Sequence, residues 1–169
     1  MTTHDHHADP ADPHGHLDGR GRRFALVCSR FNDLIVTHLE RGARDALLRH
    51  GVSPNDVETI WVPGAWEIPQ VAKAVAATHR FDAIVGLGAV IRGDTYHFEL
   101  VANHSAAGLA RVALDTGTVV SNGILTVDTL DQALQRAGSK AGNKGADAAT
   151  AALETLTTIA TLTNNTPTS

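Results

Sequence analysis

The amino-acid sequence predicts an α/β protein, a flavodoxin-like three-layer αβα sandwich with a four-stranded parallel sheet. Three observations predict it. Short apolar runs alternate with stretches whose apolar residues recur at helical spacing, the order that lays helices over a parallel sheet. The first and third runs, Phe24 to Cys28 and Ala83 to Ile91, are continuous rather than alternating, as in strands buried on both faces. The first three runs end in breaks rich in Gly, Pro, Asn or Asp, just before a helical pattern begins.

Phe24-Ala25-Leu26-Val27-Cys28 is the first strand, and Ser29 to Asp33 the turn after it. Asn32 or Asp33 is expected to cap the following helix. That helix aligns Ile35, Leu39, Gly42, Ala43, Ala46 and Leu47 on one face and stops at His50-Gly51, with Pro54 just beyond. Val57 to Val62 is the second strand, broken by Pro63-Gly64. Pro69 is tolerated only in a helix's first turn, so the second helix starts near Glu67 or Ile68 and runs through Val71, Ala72, Val75 and Ala76. The third strand, Ala83 to Ile91, breaks at Arg92-Gly93-Asp94-Thr95. Its helix carries Leu100, Val101, His104, Ala107, Gly108 and Arg111 to about Leu114. Thr118 to Leu125 is a weaker fourth strand, interrupted by Ser121, Asn122 and Gly123. Leu130 to Ala137 is a short helix ended by Gly138. A polar turn, Ser139 to Asn143, leads to a last helix that aligns Ala149, Leu153, Leu156 and Ala160.

A chain of 169 residues fits one domain, expected over 23–163, between a tail over 1–22 and a flexible C-terminus over 164–169. The tail is dominated by Asp, His, Pro and Gly, and it cannot bury enough apolar area to offset its ordering entropy. His4, His6, His7, His14 and His16 give it incidental metal affinity. The net charge of −4 argues against a general nucleic-acid binder, which needs a basic face. No apolar run approaches the roughly 20 residues of a membrane span. One cysteine, Cys28, allows no intramolecular disulfide and fits a cytoplasmic setting.

Ligands of such sheets bind beyond the carboxyl ends of the strands. That rule gathers four segments on one rim: Phe31-Asn32, Gly64 to Glu67, Val90 to His97, and Ser121 to Leu125. Gly93-Asp94-Thr95 opens a helix, where backbone N–H groups attract an anion and Asp94 is a natural N-cap. Taken alone, this turn is more often an ordinary strand-to-helix connection. Gly86 and Gly88 lie within the strand and lack a third glycine, which rejects a dinucleotide fingerprint; they suit close packing of another backbone. Arg136, Lys140 and Lys144 cluster around a glycine turn in an acidic chain, which suits a phosphate or carboxylate as well as it suits a solvated connection. Phe31, Trp66 and Tyr96 stand at strand ends, where an aromatic can stack on a flat ligand, although core packing is the commoner role. Glu67 can accept from a polyol or amine, or simply stabilise a helix start. His97 falls in the first turn of a helix, where the dipole favours the neutral imidazole that a general base needs. No grouping of His, Cys and Glu has metal-ligand spacing.

These segments together resemble the lumazine synthase family. The resemblance rests on Pro63-Gly64-Ala65-Trp66-Glu67-Ile68-Pro69, on Gly88 to Phe98, on Asn122-Gly123-Ile124-Leu125 and on Arg136 to Gly145, and it covers the region from Ser29 to the last helix. It implies condensation of 5-amino-6-(D-ribitylamino)uracil with 3,4-dihydroxy-2-butanone 4-phosphate, with release of phosphate and water and with neither redox cofactor nor metal. By matched position, Phe31 stacks on the pyrimidine, with Asn32 beside it, and Trp66, where the family often has Phe, lines the same pocket. Ala65 and Glu67 hold the ribityl chain, and Val90 and Ile91 present backbone groups to the uracil edge. Gly93, Asp94, Thr95 and Arg136 bind the phosphate, with Lys144 in support. His97 shuttles protons, tuned by Asp147, where the family often has Glu. Two departures stand out. Asn122, expected among the substrate-binding residues, occupies a position where many members carry an aromatic from a neighbouring subunit, and a polar side chain there either hydrogen-bonds the ring or weakens the stacking. Asp94 adds negative charge beside the phosphate, so its carboxylate is expected to face away.

The resemblance further implies a homo-oligomer, a pentamer with sites at its subunit interfaces. The Gly138 to Asn143 turn resembles the connection of members that close into a 60-mer shell, with association with riboflavin synthase as a further implication. Two rival readings are a carrier or shell that has lost catalysis and a mononucleotide carrier. Intact His97, Arg136 and Lys144 argue against the first. The lack of a Ser/Thr-rich phosphate loop after the first strand argues against the second.

Overall fold

A computed structural model describes residues 17–164. Four strands, β1 (Phe24–Ser29), β2 (Val57–Val62), β3 (Ala83–Ile91) and β4 (Val119–Val127), form one all-parallel sheet in the order β2-β1-β3-β4. Helices α1 (Asp33–Arg49), α4 (Leu130–Arg136) and α5 (Lys144–Asn164) cover one face, and α2 (Ile68–Ala77) and α3 (His97–Thr116) cover the other. The fold is the α/β flavodoxin-like sandwich that the sequence predicts.

The period-two alternation of the strands divides the core. Phe24, Leu26, Cys28, Val85 and Leu87 pack towards α1 and α5, while Ala25, Val27, Ile84 and Val90 pack towards α2 and α3. Gly86 and Gly88 face the second layer, and side chains rather than another backbone fill the space they leave. A Cβ on Gly86 would lie 2.7 Å from Leu109 Cδ1, and one on Gly88 would lie 3.2 Å from Ile68 Cδ1. Burial of Leu109, 2% exposed, contributes about 2 kcal/mol, so the strand glycines fix how closely α3 seats on the sheet.

The structure departs from the sequence expectations at several boundaries. Residues 17–22, read as part of the tail, touch the domain: Leu17 packs on the core and the Gly19 N–H donates to His50 O at 2.7 Å. The histidine-rich stretch 1–16 and residues 165–169 lie outside the described residues. β4 runs through its polar interruption and continues past Leu125 to Val127, paired with Ile91 at the end of β3. The Ser121 hydroxyl donates to Ala148 O at 2.8 Å, and the Asn122 side-chain oxygen accepts from Ile124 N–H at 2.9 Å. The turn after α4 is a minute antiparallel pair, β5 (Ala137–Ser139) and β6 (Gly142–Asn143), with Gly138 and Gly142 at φ of 111° and 75°.

β1 and β3 are neighbours, but their connections leave in opposite directions, α1 towards β2 and α3 towards β4. A crevice opens at such a switch point, beyond the carboxyl ends of the strands.

Candidate active site

The crevice is a cleft of about 720 Å³ built from three strand ends. Pairing of β1 with β2 continues past the strands: Arg30 N–H donates to Val62 O at 2.8 Å and Phe31 N–H to Pro63 O at 3.0 Å. This places Phe31, 73% exposed, beside the Gly64 to Glu67 turn. Asn32 does not cap α1 with its side chain. It sits in the left-handed region at φ 61°, which Asn tolerates, and its amide donates to Ala89 O at 2.8 Å, tying the β1 loop to the end of β3. Glu67 closes its turn by accepting from Gly64 N–H at 2.9 Å and also lines the cleft. Trp66 lines it too, with its indole stacked on His104 of α3, ring centroids 3.6 Å apart and planes 19° from parallel. Val90 and Ile91 supply the floor, with Ala65 beside them.

The fourth wall is the β3–α3 turn. Gly93 and Thr95 line the cleft and His97, the first residue of α3, stands at its edge. Asp94 does not cap α3: Tyr96 occupies the cap position, without a side-chain bond, and Asp94 is not among the lining residues. The helix starts two residues later than an Asp94 cap requires, because Arg92 holds the chain extended. Arg92 N–H donates to Val127 O at 2.9 Å, continuing the β3–β4 ladder. Its guanidinium donates to Asp128 at 2.7 Å and to Glu99, and lies 4.2 Å from the centre of the Phe98 ring. The hydrogen bond from Arg92 holds the Glu99 carboxyl below its usual range, and Asp128 and Glu99 together hold the guanidinium proton more tightly than usual. Tyr96 is 68% exposed and does not line the cleft.

Asn122, Arg136 and Lys144 are elsewhere. They line a second cleft, of about 400 Å³, between β4, α4 and α5, which shares no lining residue with the first. Asp147 belongs to this second cleft as well, paired with Lys144 at 2.9 Å, rather than to the neighbourhood of His97. Lys140 lines neither cleft. The local sequence explains the second cleft. Asn143 caps α5, its side-chain oxygen accepting from Gly145 N–H at 2.9 Å and Ala146 N–H at 3.1 Å, while its amide donates to His38 O at 2.9 Å. Gly42 and Gly145 leave room for this seat, since a Cβ on either would collide with Asn143 or with the Leu39 backbone. Lys144 is thereby fixed at the helix start, and Arg136 closes α4 with its guanidinium donating to Gln132 O at 3.1 Å.

Residues 21–160 match the family model of 6,7-dimethyl-8-ribityllumazine synthase. The chain belongs to that family. It is a transferase of riboflavin biosynthesis, which condenses 5-amino-6-(D-ribitylamino)uracil with 3,4-dihydroxy-2-butanone 4-phosphate to give 6,7-dimethyl-8-ribityllumazine, phosphate and water. The lumazine synthase match spans both clefts, from the β1 loop to α5. The first cleft brings together Phe31, Asn32, Ala65, Trp66, Glu67, Val90, Ile91, Gly93, Thr95 and His97, and leaves Asp94 outside. Phe98, Leu100 and Val101 also line it, which the sequence reading missed; for Leu100 and Val101 their place three and four residues after His97, on one helix face, was a usable signal. Arg92 carried no such signal, since its partners lie on two other segments. Among the described residues no helix is long and apolar enough to cross a membrane, and no group of three or more His, Cys, Asp or Glu is placed to hold a metal ion.

Proposed function

We propose that the two clefts are the two halves of one active site, completed between adjacent copies of the chain. The observation that carries this reading is the division itself. The acid–base candidate, His97, and the aromatic walls lie in one cleft, whereas the cations expected for the phosphate, Arg136 and Lys144, lie in another on the far side of β4. A condensation that releases phosphate needs all of these within one substrate's reach. In the first cleft Phe31 and Trp66 flank the pyrimidine, Ala65 and Glu67 hold the ribityl chain, and Val90 and Ile91 meet the uracil edge with their backbone. The neighbour's Arg136, supported by its Lys144, faces the backbone N–H groups of Gly93 to Thr95 across the phosphate. Asp94 contributes main chain only, consistent with its place outside the cleft lining. The neighbour's Asn122 contributes little stacking, since its side-chain oxygen is already bonded to its own strand.

Chemistry follows from this placement. The 5-amino group attacks the ketone and water leaves to form an imine. His97 removes and returns protons as that adduct forms and as phosphate departs. The assembly that joins the halves is a homopentamer in a cytoplasmic enzyme, and the tight β5–β6 connection suits closure of pentamers into a 60-mer. Sedimentation of the purified protein tests this, with a discrete pentamer overturning the shell; co-sedimentation tests the association with riboflavin synthase.

The deciding experiment mixes protein with both substrates and follows the fluorescent product. Arg136→Ala is expected mainly to raise KM for the phosphate substrate, and His97→Ala mainly to lower kcat, by about 10²-fold or more. Unchanged parameters in both variants would sink the assignment of these residues.

A further inference from the structure

Trp66 stands in a three-residue turn, Ala65–Glu67, and is 49% exposed. With half of its surface open, the indole is held by packing less firmly than a core side chain. Its one ring contact among the described residues is the near-parallel stack on His104. His104 follows His97 by seven residues, two helical turns, which returns it to within about 20° of the same face of α3. Leu100 and Val101 enter the cleft from that face. One turn further on, a Cβ at Gly108 would come within 2.6 Å of Pro69 Cβ and Cγ, so the glycine lets α3 close on the start of α2, three residues from Trp66. Gly108 thus sets the spacing across which His104 reaches the indole.

We propose that His104 is a positioning residue: its imidazole, stacked on Trp66, holds the indole in the plane it presents to the cleft and thereby sets affinity for a flat heteroaromatic substrate without touching it. The inference rests on the reading that this cleft takes the pyrimidine. One rigid helix then carries both the proton shuttle and the support of the aromatic wall. His104→Ala removes the ring and His104→Phe keeps a flat one.

Kinetics and fluorescence test this together. His104→Ala is expected to raise KM for the aminouracil about two- to tenfold, the range for an aromatic pair, while kcat and KM for the phosphate substrate stay put. His104→Phe is expected to restore the wild-type value. In a Trp61→Phe background Trp66 is the only tryptophan, and its fluorescence anisotropy should fall in His104→Ala and recover in His104→Phe. Should the alanine variant fail to fold, His104→Gln supplies a ringless polar replacement, with folding checked by thermal unfolding. Unchanged anisotropy in a folded ringless variant overturns the support of Trp66, and a changed anisotropy with an unchanged aminouracil KM overturns its role in affinity. A wild-type protein that forms no lumazine refutes the proposed site instead, and the anisotropy comparison still decides the stack.

Discussion

Cys28 shows how a single side chain's environment fixes its chemistry. It is fully buried in β1, and desolvation pushes its thiol up to about 12. The thiolate is the reactive form, so the native thiol is inert. A thiol-specific disulfide reagent at pH 8 is expected to leave the native protein unmodified while it titrates one equivalent in urea. The sign of the pH effect follows: above pH 9 the unfolded chain gives up this proton before the folded one does, so stability declines from there towards pH 12, and Cys28→Ala removes that decline. Prompt native labelling would contradict the burial argument. That Cys28 is buried could be read from the apolar run around it. The role of Asn32 could not. Asn at a strand-to-helix break reads as a cap, and its true partner, Ala89 O, lies 57 residues away. Separation in sequence likewise hid the Trp66–His104 stack and the Arg92–Asp128 pair. Residue types placed the rim, but tertiary partners fixed each orientation.

Elements were more legible, since apolar runs and helical spacing are local. All four strands and all five helices of the expected order are present. The misreadings are small: β4 pairs with β3 two residues past Leu125, to Val127, and the β5–β6 pair replaces an open turn. The α1–α5 contact was also hidden, although it explains the Asn143-Lys144-Gly145 run. Any side chain at Gly145 meets the main-chain carbonyl of Leu39 on α1, and backbone cannot swing aside as a side chain can. Gly145→Ala is therefore expected to push α5 off α1 and to cost about 1–3 kcal/mol, read as a lower urea midpoint at constant slope. Because α5 also carries Lys144 and Asp147 into the second cleft, the same substitution should raise KM for the phosphate substrate even where the protein remains folded. A variant as stable as wild type would show that the two helices are not held in this contact.

For the whole molecule, the decisive feature is that one chain displays two separate clefts with no shared lining residue, only the second of them lined by β4. The rule of strand ends placed Asn122 on one rim with Phe31, Trp66 and His97 and left Arg136 and Lys144 apart on their glycine turn, because it predicts which segments converge but not which chain closes them. Under the proposed shared site, a ring assembled head to tail would join one copy's first cleft to the next copy's second, a heterologous contact that closes by symmetry. This geometry predicts rescue between two defective chains. In an oligomer co-expressed from His97→Ala and Arg136→Ala chains, some interfaces pair an intact His97 from one copy with an intact Arg136 from the next. With random, equal mixing about a quarter of the sites are whole. Purified mixed oligomers, isolated through two different affinity tags and assayed with the phosphate substrate well below the KM of the Arg136→Ala chain, should therefore form lumazine at about a quarter of the wild-type rate, well above either parent alone. Were each site built within one chain, every site in the mixture would still lack one of the two groups. Activity no higher than that of the more active parent would refute the shared site while leaving each residue's separate contribution intact.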